Sequence, residues 1–425
     1  MDAMPDQPTA VFFFRAYNDI DHLVPVIDRL QTDTDLRIRL VVTDPFNDYR
    51  SDYRIRYLER AYGHRPVHIL PYYPVAPWVI RAHRAASRLA ERLPRAGRLL
   101  RSALVTPLAR RIIRAGEAID VRRLFRDLLG PNRQRAIIIF DHQMSSLVQL
   151  AGALARERGY PMLSLPHAVE NWDNELINTH QLSIEPDTTS RKSYNLYDAV
   201  VFPDAYAAQR TVTLGLEESR VRIIGSPRFS AQWMTKLDRE VTPTYNLPAV
   251  GPDKLRVVYF LTKPRHNVFQ EEALRTIHYL RQFPGVYLII KPHTRGMRFG
   301  MDDLGEGCMV VDNDVPSQVL IDWADLILYT ATSVILDALR KDKPVLYLAN
   351  TLANKLIFER FIKTWEVRCR DELRDWMWRF LEDRQTRTYT REEADRCLAE
   401  LVDGKTPDVL ASYIELIQEY ASKET

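Results

Sequence analysis

Cysteine is nearly absent. The 425 residues hold three, Cys308, Cys369 and Cys397, with no close spacing that would build a metal site or a disulfide framework, so a reducing compartment is the default. Long apolar runs are missing as well, since no stretch approaches the roughly 18 uncharged apolar residues that a membrane-spanning helix needs. Met1 to Ala10 carries two Asp and no basic residue ahead of the first apolar run, which reads against a secretory leader. The expectation is a cytoplasmic protein. Net charge is only +3, so nothing global calls for nucleic acid. Glycine is missing from Arg15 to Asp19, the loop after the first strand-like run, so the fingerprint that lets backbone approach a dinucleotide pyrophosphate is not there. Oxidoreductase chemistry is disfavoured.

What remains is an ordinary globular composition, 46% hydrophobic and 27% charged, in a chain long enough for two separately cored domains. Short apolar runs at Val11 to Phe14, Leu36 to Val42, Ala136 to Phe140, Met162 to Leu165, Tyr197 to Phe202 and Val221 to Ile224 read as buried parallel strands. Helical patterns lie between them, at Asp21 to Gln31, Ser146 to Arg158 and Ala205 to Leu214. Thr242 to Lys254, with three prolines and a glycine, reads as a connector. A second βα series follows, with strands at Val257 to Leu261, Val286 to Ile290, Asp325 to Tyr329 and Val345 to Leu348. Helices are expected at Val334 to Arg340, Leu373 to Leu381, Arg391 to Leu401 and Val409 to Tyr420, the last able to pack back on the first domain. The expected fold class is therefore α/β with two doubly wound domains, 1–241 and 255–425, joined by 242–254.

Arginine is the local exception to the balanced charge. Between Trp78 and Arg126 it recurs at leucine-interleaved spacings, with acids only at Glu91, Glu117 and Asp120. Such helices suit an anionic membrane surface; equally, they suit a solvated insertion whose leucines face the core. Aromatic residues are too scarce among the arginines for a nucleic-acid surface.

Polar residues collect where parallel strands end, and that edge is where open α/β sheets bind ligands. Lys291, His293 and Arg295 follow one strand of the second series, Thr330, Thr332 and Ser333 follow another, and Lys263 and Arg265 follow a third. Cations, hydroxyls and helix amides together suit phosphate. Asp337, four residues after Ser333, could take ribose hydroxyls, or could be a first-turn acid favoured by the helix dipole. In the first series, the strand at Met162 to Leu165 delivers His167, Glu170 and Asp173, groups able to accept a proton.

From Asp325-Leu326-Ile327-Leu328 through Thr332-Ser333-Val334-Ile335-Leu336-Asp337 to Lys343-Pro344-Val345, the sequence resembles the glycerophosphotransferases of teichoic-acid synthesis and related capsule and lipopolysaccharide transferases. Gly225 to Phe229 resembles the Gly-x-Pro-Arg exit of GT-B proteins, including sugar 2-epimerases. Where the glycerophosphotransferase pattern has Asp, this chain has Thr330, and the pattern's serine pair is here Thr332-Ser333. The resemblance implies a GT-B fold, two Rossmann-like domains facing across a cleft, with a nucleotide bound mainly by the second. It implies a transferase moving a glycosyl or glycerophosphoryl group from a CDP-, CMP- or UDP-linked donor to a surface-polysaccharide or lipid-linked acceptor. The resemblance implies a cleft enzyme that works without an Asp-x-Asp metal site, so neither a metal nor a permanently bound cofactor is expected. His167 is the expected base for the acceptor hydroxyl, with Glu170 and Asp173 as alternatives. A UDP-sugar 2-epimerase, or an idle scaffold of polysaccharide assembly, shares the fold and stays open. A contact with the inner membrane face through 78–126 would suit a lipid-linked acceptor.

Overall fold

The computed structural model describes residues 7–44, 49–74, 81, 85, 119–130, 135–173, 189–263, 267–293, 305, 307–312 and 315–422. Its contacts group the chain into two compact units, Met1–Ala168 with Ser190–Ser230 and Lys405–Thr425, and Val169–Thr189 with Ala231–Gly404. The sequence places the divide at 242–254; the contacts place it earlier and return the residues after 404 to the first unit.

In the first unit, β1 (Thr9–Phe14) leads through α1 (Tyr17–Asp33) to β2 (Arg37–Val42), α2 (Tyr53–Tyr62) and β3 (Val67–His68). Then come α3 (Val121–Leu129), β4 (Ala136–Asp141), α4 (Ser146–Arg158), β5 (Met162–Leu165), β6 (Ala199–Phe202), α5 (Ala205–Thr213) and β7 (Val221–Ile223). All pairings are parallel, in the order β3-β2-β1-β4-β5-β6-β7. Chain direction across the sheet reverses between β1 and β4. Those two strands are buried at every position, as continuous apolar runs demand, and Phe13 stacks on Phe140 across them with ring centroids 4.3 Å apart. Helix α4 begins where Ser145 Oγ accepts from Val148 N at 3.3 Å, and it stops at Gly159, whose φ of 71° closes the helix in the left-handed region.

Helix α3 contains the described end of the arginine-rich stretch. Val121, Leu124, Phe125, Leu128 and Leu129 are buried, while Arg122 turns outward to Glu157 at 2.6 Å. Here the apolar face belongs to the core, so residues 119–126 take the solvated-helix alternative and offer no apolar face to a membrane. Apart from Arg81 and Ala85, residues 78–118 lie outside the described residues.

The second unit runs from α6 (Ala231–Lys236) through β8 (Leu255–Phe260), α7 (Gln270–Gln282), β9 (Val286–Lys291), β10 (Cys308–Val310) and α8 (Ser317–Trp323). It continues with β11 (Leu326–Tyr329), α9 (Ile335–Arg340), β12 (Val345–Leu348), β13 (Glu366–Val367), α10 (Arg370–Glu382) and α11 (Arg391–Leu401). Its parallel sheet has the order β10-β9-β8-β11-β12-β13, reversing between β8 and β11. Arg256 at the start of β8 pairs with Asp325, just before β11, at 2.6 Å. Helix α12 (Val409–Ser422) belongs to the first unit: it packs on α1, and Tyr413 Oη donates to Gly225 O at 2.8 Å. Among the described residues no helix is long and apolar enough to cross a membrane.

Candidate functional site

The reversal between β1 and β4 assembles a cluster from three neighbouring strand ends. Arg15 follows β1 directly. Asp19, in the first turn of α1, turns back so that its Oδ2 accepts from Arg15 N at 2.6 Å and Ala16 N at 2.8 Å, satisfying amides that the helix leaves unpaired. Asp141 is the last residue of β4, and His167 lies two residues beyond β5. His167 Nδ1 is 2.5 Å from Asp19 Oδ1 and 2.9 Å from Asp141 Oδ2, and Arg15 Nη2 donates to the same Asp141 oxygen at 3.0 Å. Both aspartate side chains are fully buried, whereas those of His167 and Arg15 are 25% and 41% exposed. The acids anchor, and the two cationic groups reach the surface.

Charge follows from that arrangement. Burial disfavours an imidazolium, but hydrogen bonds and charge from Asp141 and Asp19 outweigh it and raise His167 to about 9. Burial and the charge of Asp19 push Asp141 up to about 6 against the pull of His167 and Arg15. Burial would raise Asp19 too, yet His167 and Arg15 hold it below the ordinary carboxylate value. At neutral pH His167 is therefore a cation with Nδ1 committed to the carboxylates, and Nε2 is the atom that can hand a proton on. To act as the expected base, the imidazolium must first give up that proton. His22 and His142 behave oppositely, burial lowering them to about 3 and about 4. They are neutral, and His142 Nε2 meets Val201 O at 2.6 Å.

Asp19, Asp141 and His167 offer three ligand atoms within 4.8 Å of one another, enough to consider a divalent ion. The donor set fits a hydrogen-bonded cluster better. As an imidazolium whose Nδ1 donates to the carboxylates, His167 has no lone pair on that nitrogen for an ion. Arg15 already supplies the positive charge at Asp141.

The other expected residues divide. Asp173 is pinned within the second unit by Lys355 at 3.2 Å and by Arg360, and its backbone N donates to Lys355 O at 2.9 Å beside a Trp172–Leu356 bridge. Its carboxylate clasps these two cations. Glu170, also grouped with the second unit, accepts from Asn171 N at 3.2 Å. Lys291 is 4% exposed, with Nζ donating to Asp312 O at 2.8 Å. Thr330 is likewise internal: Tyr259 Oη lies at 2.8 Å, Thr351 Oγ1 at 3.0 Å, and Thr351 donates onward to Leu348 O at 2.7 Å. That hydroxyl chain ties β8, β11 and the exit of β12 together. Asp337 is 1% exposed within α9.

Lys263, His293, Thr332 and Ser333 remain as half-buried groups at the C-terminal ends of β8, β9 and β11, which are adjacent in the sheet. Thr332 Oγ1 accepts from Val334 N at 3.3 Å, and α9 has only six residues, so it contributes a smaller dipole than a long helix would. Arg265 and Arg295 lie outside the described residues. Arg15, Asp19 and Asp141 were not expected as site residues. Their signal was available, for an acid ending the apolar run Ala136 to Phe140, or a polar residue directly after Phe14, occupies the ligand-binding edge of a parallel sheet.

The sequence matches no protein-family profile and no curated protein. Solved structures resemble it along nearly the whole chain. UDP-GlcNAc 2-epimerase from Neisseria meningitidis bound to UDP-GlcNAc aligns with a TM-score of 0.54 at 10% identity, covering 97% of this chain and 98% of that one. The wall teichoic acid polymerase TagF gives 0.53 at 11% identity, over 97% and 88%. The glycotransferase of kitacinnamycin gives 0.53 at 13%, over 98% and 100%. Identities this low speak for fold alone: the chain has the two-Rossmann-unit α/β fold of GT-B proteins.

Proposed function

We propose that the protein is a metal-independent transferase that moves a glycosyl or glycerophosphoryl group from a CDP-, CMP- or UDP-linked donor to a surface-polysaccharide or lipid-linked acceptor. The observation that carries this reading is His167 held between Asp19 and Asp141 at the sheet reversal, with Arg15 beside it. Transfer needs stabilisation of the leaving phosphate and movement of the acceptor proton. Lys263, His293, Thr332 and Ser333 are the groups that support the first task. For the second, the Nε2 of His167 exchanges the proton while the carboxylates keep the ring oriented and stabilise its charge. If His167 is the base, turnover rises with pH towards about 9; if it is the acid, turnover falls there.

A second reading has its own support. The two buried carboxylates beside one imidazole suit an enzyme that removes and replaces a carbon-bound proton, as a UDP-sugar 2-epimerase must. One experiment separates the readings. The protein is incubated with UDP-N-acetylglucosamine or CDP-glycerol in D2O, with and without glycan or lipid-linked acceptors, and followed by NMR. Acceptor-dependent release of nucleotide supports the transferase. Deuterium at sugar C2 without acceptor supports the epimerase. If neither occurs, and no nucleotide raises the melting temperature, both fail.

A further inference from the structure

Tyr17 is the first residue of α1, two positions from both Arg15 and Asp19. Its ring packs edge-on against Tyr49, with centroids 4.9 Å apart and planes at 84°, yet it is 39% exposed while Tyr49 is 5% exposed. The other exposed large hydrophobic residues among those described are Leu150, Phe269 and Trp378; Leu150 and Trp378 lie within helices, and Phe269 precedes α7 in the second unit. Of these, Tyr17 alone lies within two residues of Arg15 and Asp19.

We propose that Tyr17 is a stacking residue that selects a pyranose ring at the Arg15–Asp141–His167 cluster. The inference rests on the transferase or epimerase reading and narrows its substrate class. A pyranose has one flat C–H face and a rim of hydroxyls. An aromatic face covers the first, and exposed N–H donors on Arg15 and His167 meet the second. A glycerol phosphate chain is flexible and has no such face, so an open aromatic ring gains little from it. The exposed ring therefore favours a glycosyl substrate over a polyol phosphate at this position.

The test uses the full chain with Tyr17→Phe, Tyr17→Leu and Tyr17→Ala, each checked by circular dichroism and melting. Saturation-transfer NMR is run with methyl β-D-glucopyranoside, glycerol 3-phosphate and UMP as probes. The glucoside C–H protons should be saturated by the wild type and Tyr17→Phe and lose most of that signal with Leu or Ala, while the other two probes do not respond to the substitutions. In turnover, Tyr17→Ala should raise KM for a sugar substrate about 3- to 10-fold with kcat little changed, the range expected for one aromatic contact. Equal glucoside signals in wild type and Tyr17→Ala overturn the proposal. So does a substitution-sensitive UMP signal, which makes the ring a nucleobase platform, or a wild type that binds no glucoside. Because this readout is binding, it stands apart from the chemistry: normal turnover in His167→Gln refutes the proton-transfer reading and leaves Tyr17 to its own result.

Discussion

Removing His167 by substitution should remove a pH dependence of stability whose sign and size follow from its two carboxylates. The ordinary histidine value is 6.5, and in the folded protein His167 is raised to about 9. A group raised on folding contributes stability that is fully present below 6.5 and is lost as pH climbs through 9. At about 1.4 kcal/mol per pH unit, the gap is worth about 3 kcal/mol, or a few hundred-fold in the opening equilibrium. Asp141, raised from 3.8 to about 6, imposes its own cost as pH rises through that lower window, so it is already spent before His167 begins to titrate. Tryptophan fluorescence would report mainly on the wrong place, because six of the seven tryptophans, Trp172, Trp233, Trp323, Trp365, Trp376 and Trp378, belong to the second unit and only Trp78 to the first. Hydrogen exchange of peptides covering Ala136 to Asp141 and Met162 to Leu165 reads the right one. After correction for intrinsic exchange, protection there should fall between pH 6.5 and 9 in the wild type and stay nearly flat in His167→Gln. Equal slopes in the two proteins would refute the argument, as would a His167 imidazole that titrates near 6.5 by NMR.

Asp141→Asn keeps the shape of the cluster but removes one charge, so His167 should titrate well below 9 by NMR and turnover should fall roughly 10²-fold or more with the fold retained. Asp173→Asn should cost about 1–2 kcal/mol of stability in denaturant melts, through Lys355 and Arg360, and leave the rate within about threefold. Thr330→Val strands the hydroxyls of Tyr259 and Thr351, so calorimetry should show a loss of about 1–3 kcal/mol in stability and unchanged nucleotide affinity. Dialysis against a chelator should leave turnover unchanged; activity restored only by a divalent ion would return Asp19, Asp141 and His167 to the role of ligands.

Strands and helices were legible wherever one residue pattern decides them. Met162 to Leu165 is an apolar run with no alternative, and Ser146 to Arg158 carries its own stop in Gly159. Strand ends were legible too, and His167 with them. That Asp19, Asp141 and His167 meet was not, because a parallel sheet brings them together through a strand order that no local pattern encodes. Side-chain direction was equally hidden. Lys291 and Thr330 occupy the expected edge, but one turns to a backbone carbonyl and the other into a hydroxyl chain. The partners of Asp173 were hidden too, because Lys355 and Arg360 come about 180 residues later.

The return of α12 to the first unit has a consequence for synthesis. Val409, Leu410, Tyr413, Ile414, Leu416 and Ile417 are buried there, so the first unit lacks part of its core until they emerge. Roughly 180 residues separate Ser230 from Val409, which at about 5–20 residues per second is on the order of 10–40 s. During that interval the second unit's strands and helices leave the ribosome in full, while the α1 surface that α12 covers stays open to water or to a chaperone. The unit that starts the chain is thus the later of the two to close, and a ribosome-stalled chain ending near residue 404 should show protease-sensitive β1 to β7 beside a resistant second unit.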